Sequence, residues 1–169
     1  MKLRTILLTS VAIVFLSPAR SVVAQDTDAS ESTAPAAMNG LEQAFSERLE
    51  NARFTGRWSL VADGKIGEER TDEYLINSAT KVRGDDWVIV TRMRFGTVDV
   101  NVPITVQVKW AGDTPVISVS ELAIPNVGTY SARVVVDKDQ YGGSWRGQGY
   151  GGLMYGVIEK RKAEPAPGE

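Results

Sequence analysis

Apolar and polar residues alternate with a period of two along most of the chain after residue 53, which is the pattern of strands with one buried face. The clearest stretch covers residues 98–110, where apolar side chains alternate with polar ones such as Asp99 and Asn101. Seven further stretches predict strands in the same way, namely 56–62, 70–82, 87–95, 115–122, 129–137, 141–146 and 152–160. Clusters of Gly, Asp, Asn and Pro separate them, as turns require. The sequence therefore predicts an all-β fold, an eight-stranded antiparallel up-and-down barrel.

One hairpin of this barrel is specified in detail by its turn. Residues 96–97 are Gly and Thr, and a two-residue turn with glycine first favours type II′ geometry. This turn places Phe95 opposite Val98 and Trp87 opposite Val106, so that the apolar residues of both strands share one face. A register one residue off would turn one of these apolar faces into solvent.

The junction after the first strand fits the pattern less well. A tight turn at residues 63–64, which are Asp and Gly, would place Trp58 opposite Glu69. Such a pairing mixes the buried and the exposed face of the two strands. We therefore expect a longer loop through residues 65–69.

Helical spacing replaces the alternation within residues 39–52. The apolar residues of this segment form one stripe, which consists of Leu41, Ala44, Phe45, Leu49 and Ala52. Asn39 is suited to cap the first turn, with Glu42 as its reciprocal partner. We expect a short N-terminal helix that covers one end of the barrel. The alternative is a helix that docks onto a partner protein.

The first 24 residues have the pattern of a secretory signal peptide. Lys2 and Arg4 are basic, residues 5–16 are largely apolar, and small residues precede position 25. The apolar run is shorter than the about 20 residues that a membrane-spanning helix needs. We therefore expect a secreted or periplasmic protein without a stable membrane anchor.

Two further segments predict no packed structure. Residues 25–38 and 163–169 are polar or acidic and contain almost no large apolar side chain. Such segments cannot bury enough apolar surface to offset the entropy of ordering. The expected organisation is a signal peptide (1–24), a disordered linker (25–38), a helix and barrel domain (39–162), and a disordered tail (163–169).

Composition limits the chemistry of the domain. Removal of the signal peptide would take away three of 19 basic residues and none of 21 acidic ones, which leaves a net charge of −5. An acidic protein without a basic run is poorly suited to bind nucleic acid. The chain also has no His and no Cys, which removes the commonest general base, the commonest metal ligand and the thiolate nucleophile. We expect no enzyme, no cofactor and no metal site.

Residues 147–152 match the letters GxGxxG of a dinucleotide-binding loop. That motif needs a following helix, whereas the sequence after Gly152 predicts a strand, and only 17 residues remain. The glycines are better explained by the coiling of paired strands. They also leave room for aromatic neighbours such as Tyr141, Trp145 and Tyr155.

Gly56-Arg57-Trp58, just after the predicted helix, resembles the G-x-W motif of lipocalins and their calycin relatives. The resemblance implies a lipocalin-like barrel in which Trp58 closes one end beneath the helix. It also implies that Lys160 or Arg161, at the end of the last strand, packs against this tryptophan.

A second resemblance covers most of residues 45–160. The segments VKWAGDTPVIS, IPNVGTYSARVVV, YGGSWRG and GGLMYGVIEK look like those of a family of small secreted bacterial proteins without an assigned function. This likeness implies export and a single β domain, and it supplies no catalytic residues.

These observations favour a non-enzymatic binding module that holds a small apolar ligand inside the barrel. The aromatic residues expected to contact the ligand are Trp87, Trp110, Trp145 and Tyr155. The alternative is a structural or protein-interaction domain of the cell envelope, in which the tryptophans fill the core and a partner protein binds outside. A cavity of some hundreds of cubic ångströms would favour the ligand, and a close-packed interior would favour the partner.

Overall fold

The computed structural model describes residues 37–125 and 127–161. Within them lie one helix, α1 (Gly40–Leu49), and nine strands: β1 (Ala52–Ala62), β2 (Lys65–Ile66), β3 (Arg70–Arg83), β4 (Asp86–Phe95), β5 (Val98–Ala111), β6 (Thr114–Ile124), β7 (Gly128–Asp137), β8 (Gln140–Arg146) and β9 (Gly151–Lys160). The predicted signal peptide and tail, and nearly all of the predicted linker, lie outside the described residues.

Eight of the strands form a closed antiparallel barrel. β1 and β3 to β9 pair with one another in chain order, and the additional pairing of β1 with β9 closes the sheet. β2 is an extra strand of two residues at the end of β1. The prediction of an eight-stranded up-and-down barrel with a short N-terminal helix is confirmed.

The β4–β5 hairpin has the predicted register. Phe95 lies opposite Val98, and Trp87 lies opposite Val106. Gly96 has a φ of +55°, as the first residue of the predicted turn requires. The turn and the apolar alternation specify the same pairing, which is why local sequence was sufficient here.

The junction between β1 and β3 differs from the prediction. A tight turn does form at residues 63–64, since Val61 pairs with Ile66 in the β1–β2 ladder. The chain then leaves the ladder through residues 67–69, and this irregular segment shifts the register by one residue. Trp58 consequently lies opposite Arg70 rather than Glu69.

Helix α1 begins as predicted but buries a narrower face. Asn39 and Glu42 form the reciprocal capping box. The buried side chains are Glu42, Phe45 and Leu49, whereas Leu41 is 44% exposed. Glu42 is buried because Lys81 of β3 binds both of its carboxylate oxygens at 2.7 Å. Within the described part of the chain, no helix is long and apolar enough to cross a membrane.

Helix α1 covers one end of the barrel, which we call the closed end. The ring of Phe45 lies 5.2 Å from that of Trp87 and 6.1 Å from that of Trp110 in edge-to-face contacts. Leu49 and Trp87 are fully buried. The expected covering role of the helix is therefore confirmed, and its packing buries the residues that seal this end.

The predicted position of Trp58 beneath the helix is wrong. Trp58 is six residues beyond the start of β1, which is about 20 Å further along the strand and away from the helix. The Lys160 ammonium instead donates hydrogen bonds to the carbonyl oxygens of Glu47 and Glu50, at the end of the helix. Arg161 binds the carbonyl of Ile76 at 3.1 Å. Both basic residues thus satisfy carbonyl groups near the helix rather than packing on the tryptophan.

Candidate ligand-binding site

The end of the barrel opposite α1, which we call the mouth, contains a cavity of about 450 Å³. Side chains from all eight barrel strands form its wall, and most of them are apolar or aromatic. Leu60 and Tyr150 belong to the wall and are 38% and 47% exposed, so the cavity opens to solvent there. Its inner part is lined by Ile76, Ile89 and Ile104.

Two tryptophans stand in the wall near the mouth. The rings of Trp58 and Trp145 meet edge to face at 5.5 Å. Trp145 lies between Ala132 of β7 and Gly152 of β9 in the ladders, and these small neighbours leave space for the indole. The indole nitrogens of both tryptophans are buried and have no hydrogen-bond partner in the described part of the chain. Both tryptophans belong to the wall of the cavity.

Arg70 stacks on one of these rings. It lies opposite Trp58 in the β1–β3 ladder, and its guanidinium carbon is 5.2 Å from the centre of the indole. A cation–π contact of this kind attracts the guanidinium to the ring face and uses none of its N–H groups in a hydrogen bond. Among the described residues, Arg70 is the one Lys, Arg, Asp or Glu side chain in the cavity wall.

A pair of tyrosines forms part of the rim. The hydroxyl groups of Tyr130 and Tyr150 are 2.8 Å apart, and both rings pack against Trp145. The hydrogen bond to Tyr150 raises the pKa of Tyr130 to about 12. The Tyr130 phenol is therefore neutral at ordinary pH and adds a polar, uncharged group to this part of the rim.

A buried carboxylate lies behind the wall. Asp72 is 3% exposed, and it accepts hydrogen bonds from Tyr141 at 2.9 Å and from Tyr74 at 3.2 Å. Both tyrosines belong to the cavity wall. Burial raises the pKa of Asp72, which the two hydroxyl donors only partly offset. Burial and the neighbouring carboxylate raise the pKa of Tyr141 and of Tyr74.

Two glycines make this contact possible. In the ladders, Tyr141 lies opposite Gly156, Gly156 opposite Gly56, and Gly56 opposite Asp72. The ring of Tyr141 extends over the two positions that lack a side chain. A Cβ atom on Gly56 would overlap the Tyr141 hydroxyl and would lie 3.0 Å from the Asp72 carboxylate. Packing of the Tyr141 ring therefore requires glycine at position 56, the first position of the G-x-W motif.

The structure brings only one of the four predicted ligand contacts to the cavity wall. Trp145 lines the cavity. Trp87 points into the barrel but lies at the closed end against Phe45, and Trp110 packs against the same ring. Tyr155 lies on the outer face, is 50% exposed, and donates a hydrogen bond to Glu69 at 2.5 Å. The other predicted contacts are absent from the wall formed by the described residues.

Sequence reasoning missed Arg70, Asp72, Tyr74 and Tyr141 as residues of the site. A signal was present, because positions 70, 72 and 74 alternate onto the inner face of a predicted strand that also carries Ile76. A charged residue at an inward position marks either a buried polar contact or a site. The partner of Asp72 comes from β8, and only the closed barrel shows that the two meet.

Within residues 37–125 and 127–161, no group of three or more His, Cys, Asp or Glu side chains is arranged to hold a metal ion. Comparison with protein-family models, with curated proteins and with solved structures finds no match for this chain.

Proposed function

We propose that this domain is a non-enzymatic binding module that holds a small, largely apolar ligand in its barrel. The cavity of about 450 Å³ carries the proposal. Its volume lies within the about 300–1,000 Å³ of ordinary ligand pockets, and a mainly apolar wall with a few polar groups is typical of such pockets. An eight-stranded barrel of the lipocalin kind is just wide enough to hold one small ligand.

The same cavity weighs against the alternative of a filled core with an external partner. A close-packed barrel would leave few voids larger than a water molecule. Here the aromatic side chains of Phe45, Trp87 and Trp110 fill only the closed end. The wall near the mouth instead carries small side chains such as Ala132 and Ser131, which leave space for a guest molecule.

The absence of His and Cys from the chain supports a binding role rather than catalysis. The ionisable groups nearest to the cavity are also poorly suited to proton transfer. Tyr74 and Tyr141 both have raised pKa values and both donate to Asp72. A carboxylate held by two donors within the wall stabilises the fold around the cavity and offers no exposed base.

The proposal can be tested with N-phenyl-1-naphthylamine, an uncharged dye that fluoresces in apolar surroundings. The wild-type protein should enhance its fluorescence in a saturable manner. Ala132→Phe places a large ring in the cavity wall and should reduce dye affinity about tenfold or more, because it fills space the dye requires. Ala123→Phe adds the same ring at an exposed position of β6 and serves as the matched control.

Thermal melts should show that both variants fold, and Ala132→Leu replaces Ala132→Phe if the larger ring prevents folding. Failure of the wild-type protein to bind the dye would contradict a ligand-holding barrel. Equal binding by the wall variant and the control would place the dye elsewhere on the molecule.

We further propose that the protein is exported to the periplasm or secreted. The basic residues and the short apolar run within residues 1–24 support this localisation. Fractionation of expressing cells followed by N-terminal sequencing should find a mature protein that begins near Gln25. Recovery of the chain with Met1 intact in the cytoplasmic fraction would contradict export.

A further inference from the structure

The mouth of the cavity combines an apolar wall with an isolated positive charge. Arg70 contributes to the wall and is exposed. Its side chain forms no hydrogen bond or salt bridge within the described part of the chain, although five other arginines on the barrel strands pair with acidic residues: Arg53, Arg57, Arg83, Arg92 and Arg94. Arg70 is thus a cation at the entrance of an apolar cavity, with its hydrogen-bond donors unused by the described residues.

The position of the guanidinium is held by an aromatic contact. The guanidinium carbon lies 5.2 Å from the centre of the Trp58 ring, and Trp58 is itself packed against Trp145. Arginine binds carboxylate and phosphate groups through two parallel N–H donors, and its planar, pre-organised guanidinium loses less entropy for each bond formed. The mouth therefore presents an ordered donor group suited to an anion.

The interior of the barrel disfavours an anion, in contrast to the mouth. Asp72 lies two residues further along β3 towards the closed end, behind Tyr74 and Tyr141. Its ionised form would repel an anion that moved deeper into the barrel. Beyond it the wall is apolar, with Ile76 and Ile89. An anionic head group is consequently favoured at the mouth, and an apolar chain is favoured inside.

We propose that the ligand is a single-chain amphiphile with an anionic head group, bound so that Arg70 pairs with the head group while the chain occupies the cavity. This inference rests on the proposed function and adds the chemical class and orientation of the ligand. Trp58 lies between Arg70 and Trp145. Trp145 forms the wall against which the first part of the ligand's apolar chain lies.

Displacement of N-phenyl-1-naphthylamine by dodecanoate and by dodecanol, which share a chain and differ in charge, tests the head-group contact. Wild-type protein should bind dodecanoate about tenfold or more tightly than dodecanol, because a hydrogen bond to a charged group is stronger than one to a neutral group. Arg70→Gln should remove this difference by weakening dodecanoate alone. Arg70→Lys keeps the positive charge and should retain part of the preference for dodecanoate over dodecanol. Higher ionic strength should weaken dodecanoate binding and leave dodecanol unchanged.

Arg57→Gln is the matched control, because Arg57 neighbours Trp58 in β1 but lies on the outer face with an exposed side chain. This variant should bind both compounds as the wild type does. Equal affinity of the wild-type protein for the two compounds, or an unchanged dodecanoate affinity in Arg70→Gln, would overturn the head-group assignment and leave the cavity proposal intact. If the dye and both compounds fail to bind, the proposed function fails together with this inference.

Discussion

The hydroxyl of Tyr141 donates a hydrogen bond to the carboxylate of Asp72 at 2.9 Å, and both residues are buried. They belong to β8 and β3, with β9 and β1 between them. The ring of Tyr141 reaches across Gly156 and Gly56, which stand in the same row of the sheet. This contact joins four strands behind the wall of the cavity, and its parts can be tested separately.

Gly56→Ala should destabilise the domain. The added methyl group would overlap the Tyr141 hydroxyl and the backbone carbonyl of Tyr155, and a backbone group cannot move aside without disturbing the ladder. Overpacking of this kind typically costs about 1–3 kcal/mol. Gly40→Ala is the control, because nothing lies within 4 Å of its added methyl and alanine favours a helix. Urea unfolding of both variants measures the difference, and equal stability would contradict the close packing of this row.

Tyr141→Phe should lower the free energy of unfolding by about 1–3 kcal/mol at neutral pH, because one oxygen of the buried Asp72 carboxylate loses its donor. Tyr155→Phe removes a hydroxyl that is exposed on the outer face and should change stability by less than about 0.5 kcal/mol. Chemical denaturation of the two variants provides the comparison. A Tyr141→Phe variant as stable as Tyr155→Phe would show that the buried hydrogen bond contributes little.

Asp72 should make stability depend on pH. Burial raises its pKa in the folded protein above the ordinary value of 3.8, so the folded state holds the proton more tightly than the unfolded state does. The resulting stabilisation is fully present below pH 3.8 and is lost as the pH rises through the raised pKa. Asp72→Asn removes the ionisable group, so this variant does not lose stability as the pH rises through that pKa.

The stability of Asp72→Asn relative to the wild type should therefore increase from acid towards neutral pH and then level off. Denaturant unfolding of both proteins at a series of pH values measures this difference. Because Glu42 and Glu73 have lowered pKa values that change stability in the opposite direction, the difference between the two proteins is the informative quantity. A difference that decreases with pH would mean that the folded protein favours the ionised carboxylate.

The two ends of the barrel should respond differently to loss of a tryptophan. Trp87→Ala should cost about 3–5 kcal/mol, because Trp87 is fully buried against Phe45 and leaves an empty space in a packed region. Trp145→Ala should cost less, since one side of that indole faces the cavity and has no packed neighbour to lose. Thermal melts of the two variants test this contrast. An equal loss of stability would indicate that the mouth is as tightly packed as the closed end.

Local patterns were sufficient for much of the fold. The alternation of apolar residues predicted all eight barrel strands, and the Gly96-Thr97 turn predicted the pairing of Phe95 with Val98. The Asn39 and Glu42 capping box predicted the start of the helix. These features depend on residues close together in the chain, so their physical causes can be found in a short segment of sequence.

Other expectations failed where distant segments determined the outcome. Trp58 was expected beneath the helix, but the direction of β1 carries it to the mouth, where Arg70 takes the stacking position expected of Lys160 or Arg161. The expected loop through residues 65–69 also missed the tight turn at residues 63–64 and the short strand β2, because the irregular segment is confined to residues 67–69. A shift of one residue changes which side chain lies opposite Trp58. The mixing of faces excluded the pairing with Glu69, but it did not show that a tight turn precedes the shift.

The sequence by itself determined the strand periods, the helix cap, the Gly96-Thr97 hairpin and the absence of histidine and cysteine chemistry. Only the tertiary structure decided where the barrel is filled and where it is open. Tyr141 and Asp72 are 69 residues apart in the chain, and their contact requires that β9 pair with β1 so that two glycines adjoin. Closure of the sheet thus creates both the buried carboxylate and the cavity, because each depends on inward side chains from strands that are distant in sequence.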